Sequence, residues 1–353
     1  MKIKLALLSG DTNYLSRITA AFTSKYADKL EVCSFSDPGV AMAALAEQRS
    51  SVFISDDCFE IDESRLPRRC GLAYLVESPD IESFNGKPAV CKYQKVEMIY
   101  KTILQVFSDT VSDSIGIRPD ADSAVRFVTF VSAASGAGAS VSAAACAKSF
   151  AQAGQRTLFL NFETLGVLDP FFSGPGHADF GDVIFAVLAK KTNLSLRLES
   201  CVRQDASGVF FFAPPKTALD MNAIKAEDIQ RLITDLKFTG TYDNIVIDCS
   251  FSLCEKMLEL FRQSTSIVFV LDGGVLSSAK FRRAYQAMDI LDRQYDRALL
   301  PKLCVFYNRF ANAEGQTLGD DIRSIGWAPW YERASEQQVV AQLSGLGIFQ
   351  TLQ

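Results

Sequence analysis

Apolar residues along the 353-residue chain fall into short runs that alternate with amphipathic stretches. In the N-terminal third, residues 3–8, 30–35, 51–55, 72–76 and 89–93 read as strands. Asp11 precedes Leu15, Ile18 and Phe22 at helical spacing, and residues 39–48 and 96–107 repeat that period. Strand and helix alternating at this interval predict a parallel α/β sheet covered on both faces, complete by about residue 108.

From Arg126 the rhythm resumes with longer apolar runs at 127–131, 157–162, 208–213, 244–248, 266–271 and 303–307. Strands this uniformly apolar are buried on both faces, as in a doubly wound parallel sheet. Helical patterns at 179–190, 226–237, 253–263, 277–292 and 336–346 supply the covering layers. The stripes Leu253, Met257, Leu258, Phe261 and Phe281, Tyr285, Met288 have helical spacing and read as core. Between the halves, residues 109–124 are polar and aperiodic and include Gly116 and Pro119, as a linker would. The expected organisation is therefore a domain at 1–108, a linker at 109–124 and a second domain at 125–353.

Composition narrows the class. At 48% hydrophobic and 22% charged the chain is globular, and a net charge of −5 argues against a nucleic-acid partner held by bulk electrostatics. Apolar runs are too short for a membrane span, the opening residues do not resemble a secretion signal, and the expected location is the cytoplasm. Nine cysteines without a C-x-x-C pair read as reduced core residues, and His177 alone argues against a zinc enzyme or a histidine-based triad. Lys148 and the pair Arg282 and Arg283 read as solvated helix faces. Residues 341–353 contain no Lys or Arg, unlike a basic amphipathic membrane anchor.

The candidate chemistry lies at residues 128–141. A strand pattern ending at Val131 runs into a turn holding Gly136 and Gly138, then into a small-residue helix with Ala143, Ala144, Ala145 and Ala147. In such a turn successive backbone N–H groups converge and the helix N-terminus adds positive potential, so an anion such as phosphate is favoured. The common loop G-x-x-x-x-G-K-[ST] would need Gly at 133 and Lys at 139, where Ala133 and Ala139 stand.

The segment is similar to the ParA/MinD-superfamily signature K-G-G-x-G-K-[ST]-[ST], matched by Ala134, Ser135, Gly136, Ala137, Gly138, Ala139, Ser140 and Val141. Two glycines and one hydroxyl are kept, and both lysines are lost. Glu163 stands where that superfamily ends its second strand in an acidic pair, and residues 242–248 resemble its Walker B strand. This implies that Asp248 and Ser140 hold Mg2+ beside ATP. Asn308 and Arg309 resemble the base-recognition turn, implying an adenine contact for Asn308 and ring stacking for Arg309, and residues 325–331 resemble the loop that closes over the base through Pro329. The resemblance also implies a homodimer through this half. Without a lysine at 134 to reach a partner's nucleotide, ATP turnover is expected near zero.

The first domain resembles a response-regulator receiver. Its first strand ends in Ser9, Gly10 and Asp11, with one acid of the usual pair, while Asp56 and Lys92 match the phosphoacceptor and the receiver lysine. Two readings stand: a docking module, and a domain phosphorylated at Asp56. The combination resembles the TadZ/CpaE family. That implies a scaffold placing Flp/Tad-type pilus assembly at a cell pole, with the receiver-like half recruiting secretion components and with no direct membrane anchor. An ATP-dependent dimerisation switch and a phosphorylated signalling protein are the alternatives.

Overall fold

A computed structural model describes residues 2–47, 50–67, 70–110, 125–191, 194–295, 298–310, 318 and 322–352. They form two compact units. The first takes the described residues up to 110 together with 176–178 and 190–201, and the second takes the rest. The expected linker lies outside the described residues from 111 onward.

In the first unit the strands are β1 (Ile3–Leu8), β2 (Leu30–Phe35), β3 (Val52–Asp56), β4 (Gly71–Val76), β5 (Ser83–Phe84) and β6 (Lys87–Cys91), with helices α1 (Thr12–Lys25), α2 (Pro38–Glu47) and α3 (Val96–Thr110). The sheet order is β2-β1-β3-β4-β6-β5, parallel except for the β5–β6 hairpin. Without that hairpin this is the flavodoxin-like order expected of a receiver-like fold. Alternation along the strands divides two cores. Leu5, Leu7, Ile54 and Leu75 face α1 and α3, whereas Ala6, Leu8, Phe53 and Tyr74 face α2. The α2 face departs from the expected helix alternation. Among its described residues the β3–β4 connection contains the short turn Glu63–Arg65 and no longer helix, and the β4–β6 connection forms the hairpin, with Asn85 and Gly86 at positive φ as a type I′ turn requires. A helix from later in the chain, α6 (Leu194–Cys201), belongs to this unit. Its Glu199 pairs with Lys29 at 2.6 Å and accepts a hydrogen bond from Tyr100.

The second unit contains β7 (Arg126–Val131), β8 (Thr157–Asn161), β9 (Arg203–Gln204), β10 (Phe210–Phe211), β11 (Asn244–Asp248), β12 (Ser266–Leu271), β13 (Leu303–Tyr307) and β14 (Ser324–Trp327). Its helices are α4 (Ala139–Gln152), α5 (Phe180–Leu188), α7 (Asp220–Ala223), α8 (Ala226–Thr239), α9 (Glu255–Gln263), α10 (Val275–Tyr295) and α11 (Glu336–Ser344). The order β14-β13-β12-β7-β11-β8-β10-β9 is parallel up to the antiparallel edge strand β9. The run expected at 208–213 shortens to the two residues of β10, and β14 occupies the start of the segment expected to be a loop. Met257, Leu258, Phe261, Phe281 and Met288 are buried as their spacing predicts, but Leu253 precedes α9 and is exposed. Near the C-terminus Phe349 is fully buried against Phe130 and Phe306, so the apolar residues there serve the core. Among the described residues no helix is long and apolar enough to cross a membrane.

Candidate nucleotide site

Strand β7 lies between β11 and β12, so the turn after β7 emerges beside the C-terminal end of β11. Asp248 pairs in register with Phe130 on one side and Asn161 on the other. The loop keeps the backbone that its glycines predict. Gly136 has φ +83 and Gly138, the N-cap of α4, has φ +89, a region open to glycine and strained for other residues. Helix α4 then starts with Ser142 N–H donating to the Gly138 carbonyl. The N–H groups of residues 135–141 donate to no acceptor among the described residues. These groups and the helix N-terminus form the anion-favouring cradle.

Side chains from three places hold this loop. Ser132 Oγ lies 2.8 Å from the carbonyl oxygens of both Ala134 and Val270, which share its single proton, and accepts from Ala134 N–H. Asn308, 2% exposed after β13, donates from Nδ2 to the Ala137 carbonyl at 2.8 Å. Arg309, at φ +59, donates from Nη1 to the Gly136 carbonyl at 2.9 Å and lies 5.2 Å from the centre of the Trp330 ring. Ser135 and Gly136 are exposed, Ala137 is buried, and Val141 packs against the core beneath the loop. Pro329 is exposed between Ala328, whose N–H donates to the Tyr307 carbonyl, and Trp330. Lys148 is half-buried over the Phe172 ring, in place of the solvated position expected.

Asp248 carries the sharpest electrostatics. It is fully buried, and neither carboxylate oxygen has a hydrogen-bond partner among the described residues. Burial pushes its carboxyl up to about 8, the Glu163 charge adds to the rise, and the Ser140 hydroxyl opposes it without a well-aligned hydrogen bond. An orphaned buried carboxylate facing a hydroxyl at the mouth of an anion cradle fits Mg2+. No cluster of three or more His, Cys, Asp or Glu side chains suited to a metal occurs among the described residues. Mg2+ at Ser140 and Asp248 would complete its shell with water and phosphate oxygens, as this ion commonly does.

The first unit has its own polar cluster. Asp56, 2% exposed, accepts from Ser9 Oγ at 2.6 Å and Gly10 N–H at 3.1 Å, and Lys92 Nζ lies 3.0 Å from its other oxygen. Desolvation works to lower the Lys92 ammonium, but its hydrogen bond and charge contact with Asp56 outweigh it and leave the group raised. Burial, the largest cause, pushes the nearby Tyr14 phenol up as well, with Asp56 next. Ser9 thus contacts Asp56 directly from the strand end where receivers place an acid.

Sequence reasoning placed Asn308 and Arg309 at the base. The structure brings both to the loop backbone and adds two groups that reasoning missed, Ser132 and Trp330. The Ser132 contact carries no sequence motif. Trp330 was visible only as part of the segment around Pro329.

Residues 1–108 match the family described as TadZ-like, receiver domain. No curated protein matches the chain. Among solved structures, the ParA family ATPase from Chlorobium tepidum TLS is similar at 21% identity, covering 65% of this chain and 96% of that one, with a TM-score of 0.48. A putative plasmid partition protein from Borrelia burgdorferi B31 bound to AMPPNP is similar at 15% identity, with 65% and 99% coverage and a TM-score of 0.44. The septum site-determining protein MinD from Pyrococcus horikoshii OT3, complexed with Mg-ADP, is similar at 15% identity, with 65% and 94% coverage and a TM-score of 0.46. Residues 1–108 thus match a TadZ-like receiver domain, and a doubly wound, mostly parallel α/β unit follows them in the chain.

Proposed function

We propose that this protein is a positioning scaffold of Flp/Tad-type pilus assembly whose ParA/MinD-like half holds Mg-ATP while turning it over at a rate near zero. The observation that carries this reading is the loop itself. Its glycine geometry, its open N–H groups and the buried Asp248 are kept, while Ala134 and Ala139 stand where the catalytic lysines belong.

Each part has a separable role. The N–H groups of 135–141 bind phosphate oxygens, and Ser132, Asn308 and Arg309 hold the loop that presents them. Ser140 and Asp248 would hold Mg2+, which would supply positive charge to the bound phosphates. Asp248 would bind the ion as the carboxylate, with the Ser140 hydroxyl beside it. A charge-assisted phosphate contact contributes roughly 1.5–3 kcal/mol, so losing two lysines weakens binding without abolishing it at millimolar ATP. Hydrolysis suffers more, because positive charge aimed at the transferring phosphoryl group is worth about 10^3–10^5 in rate. A homodimer through this half and recruitment of pilus secretion components through the receiver-like half complete the proposal, with the protein cytoplasmic and gathered at a cell pole.

The test has two arms. Purified protein should show background ATPase activity, and turnover at the level of ordinary ParA proteins that disappears in Asp248→Ala would overturn the scaffold reading. Self-association together with retention of pilus secretion components in a pull-down should be observed, and loss of both would sink it. An ATP-dependent dimerisation switch is the second reading, favoured by the orphaned Asp248 carboxylate. Titration calorimetry with Mg-ATP on wild type and Gly138→Val, read beside dimer fraction, separates the two.

A further inference from the structure

We propose that the α2 face of the first unit is the surface that recruits a partner, and that its occupant is a basic amphipathic helix of that partner, which fills the layer this sheet lacks. The inference rests on the recruitment reading above and adds the surface and the chemistry of what it takes. Three observations carry it.

The covering layer is incomplete on one side. Helices α1, α3 and α6 supply the core of one sheet face, whereas among the described residues α2 is the single helix on the other. A parallel sheet is stable with helices over both faces. Met42, Phe59, Ile61, Leu66 and Phe84 stay half-buried on the α2 face, and Val40 on α2 and Ile81 ahead of the hairpin are 59% and 40% exposed. Glu63 and Lys87, 2.8 Å apart, hold the 63–65 turn beside the hairpin, so these residues form one apolar surface.

The rim of that surface is acidic. Residues 37–47, 57–69 and 77–87, which hold α2 and the two connections, carry nine Asp or Glu against four Lys or Arg. Glu60 and Asp80 are exposed. Glu82 already receives a basic side chain, since Nδ1 of His177, from the 176–178 segment of this unit, lies 2.9 Å from its Oε1.

The same charge selects the occupant. A second copy would set one acidic rim against another, and the chain's own linker at 109–124 has four acids and one base. Neither complements the face. A partner helix with an apolar stripe flanked by Lys or Arg meets both the apolar floor and the acidic rim.

The test is fluorescence anisotropy on the full chain with three short labelled helical peptides that share a leucine stripe and carry Lys, Gln or Glu beside it. The Lys peptide should bind wild type at least about tenfold tighter than the Gln peptide, and the Glu peptide should not bind. Hydrogen exchange should place the Lys peptide on α2 and on residues 59–66 and 81–84. Glu60→Lys combined with Asp80→Lys should weaken the Lys peptide by about tenfold and leave the Gln peptide unchanged, whereas Ile81→Asp should weaken both. Equal binding of the Lys and Gln peptides, binding of neither, a footprint elsewhere, or protection of the same residues by self-association of the chain alone overturns the inference. Retention of pilus secretion components that survives all three substitutions together also overturns it and leaves the recruitment reading standing. Wild type that retains none of those components overturns that reading, and this inference with it.

Discussion

Asn308 Nδ2 and the Ala137 carbonyl lie 2.8 Å apart across 171 residues of chain, tying the end of β13 to the loop after β7. Gly138 makes the contact possible, because its φ is +89 and any side chain there would meet the Asn308 amide. Gly138→Ala combines left-handed backbone strain with that collision and should destabilise the protein by about 2–4 kcal/mol, read by urea denaturation. Asn308→Asp keeps the shape but turns a buried donor into a charge facing a carbonyl oxygen, and should lower the melting temperature at least as far.

Asp248 sets a pH dependence. Its folded pKa of about 8 stands above the ordinary 3.8 because burial disfavours the charged form. Between these values the folded protein retains a proton that the unfolded chain releases, so the contribution to stability is complete below about pH 4 and is lost as pH rises towards 8. The slope is at most about 1.4 kcal/mol per pH unit. Denaturation in EDTA from pH 5 to 8 should show wild type losing stability relative to Asp248→Asn, and a flat difference between the two would contradict the burial argument. Adding Mg2+ and ATP near pH 8 should restore wild type and not the variant.

In the first unit, Lys92 is the cation that offsets a nearly buried Asp56. Removing it in Lys92→Met leaves the carboxylate charged and unpaired and should destabilise the unit by about 3 kcal/mol. Asp56→Asn in the same background should recover part of that, because the orphaned charge is gone. The Asp56 oxygens already face Ser9, Gly10 N–H and Lys92, so acetyl phosphate is expected to leave the residue unlabelled. Mass spectrometry of the intact protein after incubation with Mg2+ and acetyl phosphate checks this.

How much of this could be read from the chain depended on sequence distance. Val128, Phe130 and Val131 declare a buried strand by themselves, and Gly136 and Gly138 declare the turn, because each acts through its own backbone or burial. The hairpin at Asn85 and Gly86 carried an equally local signal that the receiver pattern obscured, since a helix is expected between those strands. The helix Leu194–Cys201 was harder to find: Leu194, Leu198 and Cys201 have helical spacing, but nothing local says that Glu199 meets Lys29 and Tyr100. The contacts of Asn308 and Arg309 with the loop, and of Ser132 with Val270, join strands far apart in sequence. Such contacts follow from strand order, which local patterning does not encode.

Whether the missing lysine alone limits the site can be tested by restoring it. Ala139 lies at the first position of α4, directly after Gly138, half-buried against the core, so a lysine there must lay its stem along that apolar surface to bring its ammonium to the loop. Ala139→Lys should tighten Mg-ATP binding by about 10- to 100-fold, the range expected of one charge-assisted phosphate contact. Turnover should stay low, because Ala134 still supplies no charge to a partner's nucleotide. Ala134→Lys combined with Ala139→Lys is the informative pair: a rise in ATPase activity that appears only in the double variant, and only at concentrations where the protein self-associates, would show that the fold retains the rest of the catalytic arrangement. Tight binding without any gain in turnover would place the remaining deficit elsewhere, with the geometry of Glu163 and Asp248 as the next target.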